Sequence, residues 1–119
     1  MKTILICGVA LVACACASAP PPNEQMAVGH KAVERAAGTP EVVQWAPAEL
    51  ERARLKIAAA DAAMARRDYD QARRLADEAE ADARLAEART GARKNDRALT
   101  EVREALRSLR GELASRPLS

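Results

Sequence analysis

The chain has 119 residues, 19 basic and 17 acidic, for a formal net charge of +2, with no Phe, one Trp and one Tyr. Charges interleaved without a basic stripe argue against a nucleic-acid partner. A body rich in alanine and poor in aromatics can build only a thin helical core, and the length supports a single small unit.

Lys2 precedes an almost unbroken apolar run from Ile4 to Ala13, which gives the n-region and h-region of a signal peptide. Ser18, Pro20, Pro21 and Pro22 arrive well before the roughly 20 apolar residues that a membrane span needs. Leu11, Val12, Ala13 and Cys14 make a small-residue step into a cysteine. This step resembles the lipobox of bacterial lipoproteins. The resemblance implies diacylglycerol on the Cys14 sulfur, cleavage before Cys14 and acylation of the new amine.

Cys16 is the alternative site, although it lacks the larger aliphatic residue three positions upstream. Cutting after Ala19 instead would place Pro20, which has no N–H, just past the scissile bond. Ala15 stands where such signals carry the aspartate that retains a lipoprotein at the inner membrane, so the expected address is the periplasmic face of the outer membrane. All three cysteines, Cys7, Cys14 and Cys16, lie in this first segment, so the body has no disulfide framework and no thiol for a metal.

Three consecutive prolines favour an extended spacer after the anchor. Met26 and Val33, with alanines at helical spacing, predict a short helix from Glu24 that stops at Gly38. His30 has no Cys, second His or ordered carboxylate beside it in sequence and is read as a solvated surface residue. Val42, Val43 and Trp45 fall between Pro40 and Pro47, a stretch read as a connector too short and too β-branched for a helix. Trp45 has two readings, a headgroup-layer indole or a cap over the open end of a helix pair.

Pro47 suits a first helical turn, and Leu50, Ala53, Ile57, Ala60 and Met64 mark one stripe of a helix running to Arg67. Asp68 can cap the next helix while Gln71, three residues on, reaches back as in a capping box, with Tyr69 stapling the turn. So short a connection makes the helices antiparallel neighbours. Ala72, Leu75, Ala76, Ala79, Ala83 and Ala86 face the first helix and permit close backbone approach. Beyond Gly91 the apolar residues become Leu99, Val102, Leu106, Leu109 and Leu113, a heptad seam that traces back through Ala92 and Ala88 to Leu85. Gly91 either breaks the helix, so that the end folds back, or is passed by one continuous rod that offers its leucines to another chain. The arginines and glutamates around the seam are read as a solvated coiled-coil flank, with a patch for acidic lipid as the rival reading.

The expected organisation is all-α. A signal peptide over residues 1–13 is followed by a lipidated tether over 14–23 and a short helix over 24–38. An antiparallel Ala-rich helical hairpin continuing into a coiled-coil-like helix occupies 47–114. Three stretches, Cys16 to Pro22, Pro47 to Arg54, and Asp68 to Ala76 continuing to Glu87, carry a resemblance to the small bacterial lipoproteins of domain-of-unknown-function family 4398. The resemblance implies an envelope lipoprotein of unassigned activity. Some relatives carry an OmpA-like peptidoglycan-binding domain after the hairpin; this sequence ends at Ser119 in Arg116, Pro117, Leu118, Ser119, so peptidoglycan binding is not carried over.

No nucleophile motif, Gly-rich phosphate loop or metal-ligand cluster is present in sequence, so neither an enzyme nor a cofactor is expected. A lone tetratricopeptide-like pair is set aside because such repeats need several copies. The expected function is binding or scaffolding by a lipid-anchored protein, through a protein partner or self-association of the C-terminal helix. An accessory subunit of an envelope enzyme or transporter is the alternative, and a soluble periplasmic helical protein a weaker one.

Overall fold

The computed structural model describes residues 19–116. Cys14, Cys16 and the signal sequence lie outside the described residues. Four helices follow one another: α1 (Asn23–Ala37), α2 (Pro40–Trp45), α3 (Pro47–Ala65) and α4 (Tyr69–Ser115). The α3–α4 pair is the antiparallel hairpin expected from sequence: Glu49 pairs with Arg89, and Lys56 with Glu78 and Asp82, so that positions ascend on one helix as they descend on the other.

The first helix is more than an appendage, because α1 packs against both α3 and α4 and turns the hairpin into a three-helix bundle. Gly29 makes this possible. A Cβ there would lie 2.9 Å from Ile57 Cδ1 and 3.0 Å from the Ala76 carbonyl oxygen, so only a residue without one lets α1 settle onto its neighbours at this spacing. Met26, Ala32, Val33 and Ala36 bury the rest of this face. Between helices the core is chiefly alanine, with Ala53, Ala60, Ala63, Ala72, Ala76, Ala79, Ala83 and Ala86 all fully buried. Leu50 and Val42 are its largest fully buried side chains. Small residues facing one another bring the backbones close, so dispersion contacts between main chains replace the bulky side chains this chain lacks.

The stretch expected to be a connector is a six-residue helix, α2. Pro40 at its first position has φ already set for helix. The Thr39 carbonyl accepts from the N–H groups of Val42 and Val43, and Val42 is only 1% exposed. Burial of Val42 outweighs the modest helix penalty of a β-branched residue, the competition that the sequence reading settled the other way.

The α3–α4 turn closes α3 at Ala65, two residues before the expected end. The Asp68 N–H bonds to the Ala63 carbonyl at 2.9 Å and the Arg67 N–H to the Met64 carbonyl at 3.0 Å, the paired bonds of a Schellman stop. Arg67 occupies the left-handed position, at φ 60, where glycine is usual.

Candidate functional site: the free end of α4

The helix α4 runs 47 residues without interruption, about 70 Å at 1.5 Å per residue. Gly91 does not break it, and the fold-back alternative is excluded: nothing approaches the Gly91 Cβ position within 4 Å and its φ is not positive. Beyond it, the segment meets the rest of the described chain only through α2, at Lys94 and Arg97. Every described residue from Ala92 to Arg116 is exposed, including Leu99 at 47%, Val102 at 56%, Leu106 at 48%, Leu109 at 55% and Leu113 at 70%.

The seam begins earlier, on the bundle itself, where Leu85 is 38% exposed and Ala88 is exposed too. Leu85 is two residues from the buried Ala83, about 200° round the helix, so it faces away from α3 and α1. The apolar face is thus continuous from Leu85 to Leu113, with alternating steps of three and four residues and a single polar residue, Asn95, in its path.

On the opposite face α2 props the helix where it leaves the bundle. Lys94 Nζ lies 2.8 Å from Glu41 Oε1, and this pair holds the Glu41 carboxyl below its ordinary value, chiefly through the hydrogen bond. The Arg97 guanidinium sits 4.4 Å from the centre of the Trp45 ring, a cation–π contact. Trp45 is half-buried at the end of α2.

The turn residues are placed as follows. Asp68 caps α4, its Oδ1 accepting from the Gln71 N–H at 3.2 Å. Among the described residues no returning bond from the Gln71 side chain completes a capping box. Tyr69 is half-buried at the first position of α4, which makes it a partial cover for the turn rather than a fully buried staple.

His30 has a carboxylate neighbour that sequence reading missed: Nε2 lies 2.8 Å from Asp61 Oδ1 on α3. The pair is 31 positions apart, so no local pattern could have announced it. The same holds for Arg35 and Glu87, joined by two hydrogen bonds of 2.7 and 3.0 Å, in which the carboxylate raises the arginine pKa chiefly by hydrogen bonding. Lys56 is likewise raised, first by its hydrogen bond to Asp82 and then by that to Glu78. Glu49 is the exception to exposure: only 5% accessible, it receives Arg89 at the first turn of α3, where the helix N-terminus also favours its charge. These pairs lock helix registers.

Among the described residues no group of three His, Cys, Asp or Glu side chains could hold a metal ion. Among the same residues no helix is long and apolar enough to cross a membrane. The residues brought together with their chemistry exposed are therefore those of the α4 seam.

A family model, Domain of unknown function (DUF4398), matches residues 24–102. The chain belongs to the DUF4398 family. It is also similar to a crystal structure of a DUF4398 family protein from Pseudomonas aeruginosa PAO1, at 41% sequence identity and a TM-score of 0.68. That similarity covers 80% of this chain and 97% of the other. No curated protein matches it. The family match takes in the bundle and the first leucines of the seam, and it ends at Val102.

Proposed function

We propose that this DUF4398 protein is a lipid-anchored envelope protein that acts by binding and scaffolding, and that the exposed seam of α4 is its working surface. The observation that carries this reading is the free helix end. A chain that fills its core with alanine leaves Leu99, Leu106, Leu109 and Leu113 in solvent, against the burial that each could gain. A contiguous apolar stripe left open in this way marks a contact surface.

The bundle's polarity supports the same reading. The helix α1 runs parallel to the first half of α4, since Gly29 lies at Ala76 and Arg35 pairs with Glu87. The tether therefore enters at the turn end, where Pro22 is buried. From Ala76 to Leu113 the helix rises about 55 Å away from that entry. An anchor on Cys14 and a contact surface at the far end of a rigid rod make a scaffold. The leader with Ala15 after the cysteine supports the outer-membrane, periplasm-facing address.

Stable attachment takes two or more acyl chains at about 0.8 kcal/mol per buried CH₂. Wild-type protein should accordingly sediment with membranes and Cys14→Ala should move it to the soluble fraction. Mass spectrometry showing residue 14 unmodified, or a mature chain starting at Pro20, would overturn the anchoring.

A further inference from the structure

We infer that the occupant of the α4 seam is a second copy of this chain, running antiparallel, so that the free end of each α4 lies along the partner copy's α4 as far as the bundle. The inference deepens the proposed function by naming the partner, and it rests on the reading of the seam as a contact surface.

Three observations carry it. The first is size. The seam is lopsided: its bundle half carries Ala88, Ala92 and Asn95, and its free half carries Leu106, Leu109 and Leu113. A parallel pair would set alanine on alanine at one end and leucine on leucine at the other. An antiparallel pair centred between Leu99 and Val102 sets Leu113 on Ala88, Leu109 on Ala92 and Leu106 on Asn95, with Val102 on Leu99 at the middle. A large residue then meets a smaller one at each outer level, with Val102 against Leu99 between them, and the spacing between the helices stays more even along about 42 Å of contact than in a parallel pair.

The second observation is charge. On one edge of the seam stand Arg89, which Glu49 already holds, then Asp96, Arg103 and Arg110, and on the other Gly91, Ala98, Ala105 and Glu112. Parallel helices place unlike edges together, which here gives no ion pair in any of these heptads. Antiparallel helices place like edges together. Asp96 of each copy then falls between Arg103 and Arg110 of the other, Arg89 comes near Arg110 but keeps its own partner Glu49, and the second edges close through Gly91, Ala98 and Ala105 with Glu112 set against Gly91.

The third is access. Leu85 and Ala88 lie on the face of α4 turned away from α1 and α3, so an incoming helix meets no part of the bundle. The Trp45–Arg97 and Glu41–Lys94 contacts hold α2 on the opposite side and hold the helix straight at its exit. Arg116, just past the end of α4, comes to the level of Leu85 of the other copy, where its aliphatic stem can cover that side chain. Such a dimer sets the two chain entries about 95 Å apart, joining two anchoring points through one rod.

The test is disulfide trapping in the full chain carrying Cys7→Ser, Cys14→Ser and Cys16→Ser, so that the outcome does not depend on lipidation, and again with Cys14 restored. Copies with Leu109→Cys are mixed with copies with Ala92→Cys and oxidised. The expected result is a covalent heterodimer from the mixture, at least tenfold above that from either variant alone, and its loss when both copies also carry Leu106→Glu. Because Leu106 touches no part of the bundle, an unchanged melting transition in that variant separates lost association from lost folding. Strong homodimer formation by Leu109→Cys alone would show parallel pairing and overturn the proposal. A chain that stays monomeric in sedimentation at high concentration, with no covalent product, would overturn the second copy as occupant. Trapping that persists while the Cys14-restored protein stays out of membranes would defeat the anchor and leave the dimer standing.

Discussion

The two halves of α4 have the same backbone and opposite fates. From Tyr69 to Thr90 the helix buries Ala72, Ala76, Ala79, Ala83 and Ala86 completely, whereas from Ala92 to Arg116 every described residue is exposed although the side chains are larger. Apolar size alone would assign the core to the wrong half. What decides burial is the neighbour: α3 and α1 approach the alanine half closely because its side chains are small, whereas the leucine half meets only α2, through Lys94 and Arg97 on the side away from the leucines. The alanine half therefore stabilises the monomer, and the leucine half is the surface on which the proposed association rests.

The largest effects should come from changing the same kind of residue in each half. Leu50→Ala removes one of the two largest fully buried side chains and should cost about 2–5 kcal/mol, a large fraction of the stability of so small a bundle. Leu109→Ala, measured by thermal melting at a concentration where the chain is monomeric, should stay within about 0.5 kcal/mol. Equal losses from the two would mean that the free half is packed after all.

A glycine from each region sharpens the contrast. Gly29→Val puts branched carbon where Ile57 and the Ala76 carbonyl already stand, and overpacking of that kind costs about 1–3 kcal/mol. Gly91→Ala meets nothing within 4 Å and should raise helicity, with up to about 1 kcal/mol gained from propensity. Circular dichroism during chemical denaturation reads both. A stabilising Gly29→Val would dissolve the close approach of α1, and a destabilising Gly91→Ala would put an unseen contact at the bundle exit.

Much of this was legible in the sequence, for reasons that particular residues make plain. The stripe from Leu50 to Met64 and the alanines from Ala72 to Ala86 carry helical periodicity, and periodicity names a buried face whatever the size of the residue. The heptad from Leu99 to Leu113 was equally readable as a seam, although sequence alone left open whether the end folded back across Gly91. Less visible were the features that depend on distant partners. Gly29 carries no signal in the sequence because its role is set by Ile57 and Ala76, far along the chain. His30 looked solitary because Asp61 lies a helix away. The α2 helix was missed because Val42 is stabilised there by burial, which overrides its local preference. Cys14, on which the proposed address depends, lies outside the described residues, so its reading rests on the sequence pattern.

The turn at the far end of the alanine half offers the smallest and most local test, and its two neighbouring residues should respond in opposite directions. Asp68→Ala removes the carboxylate that accepts from the Gln71 N–H at 3.2 Å and should cost about 1 kcal/mol, the usual loss for an N-cap. Arg67 sits at φ 60, where an L side chain crowds its own backbone by roughly 1–2 kcal/mol. Arg67→Gly relieves that crowding but gives an unfolded chain with more freedom to lose, so the net gain should be below about 1 kcal/mol. Differential scanning calorimetry of both variants checks the signs. If both lowered the melting temperature, the Arg67 side chain would have to contribute more to the turn than its backbone position costs. If neither moved it, the turn would be a passive link, and the register of α3 on α4 would rest on the alanine contacts and on the ion pairs of Lys56 with Glu78 and Asp82, of Arg52 with Asp82 and of Glu49 with Arg89.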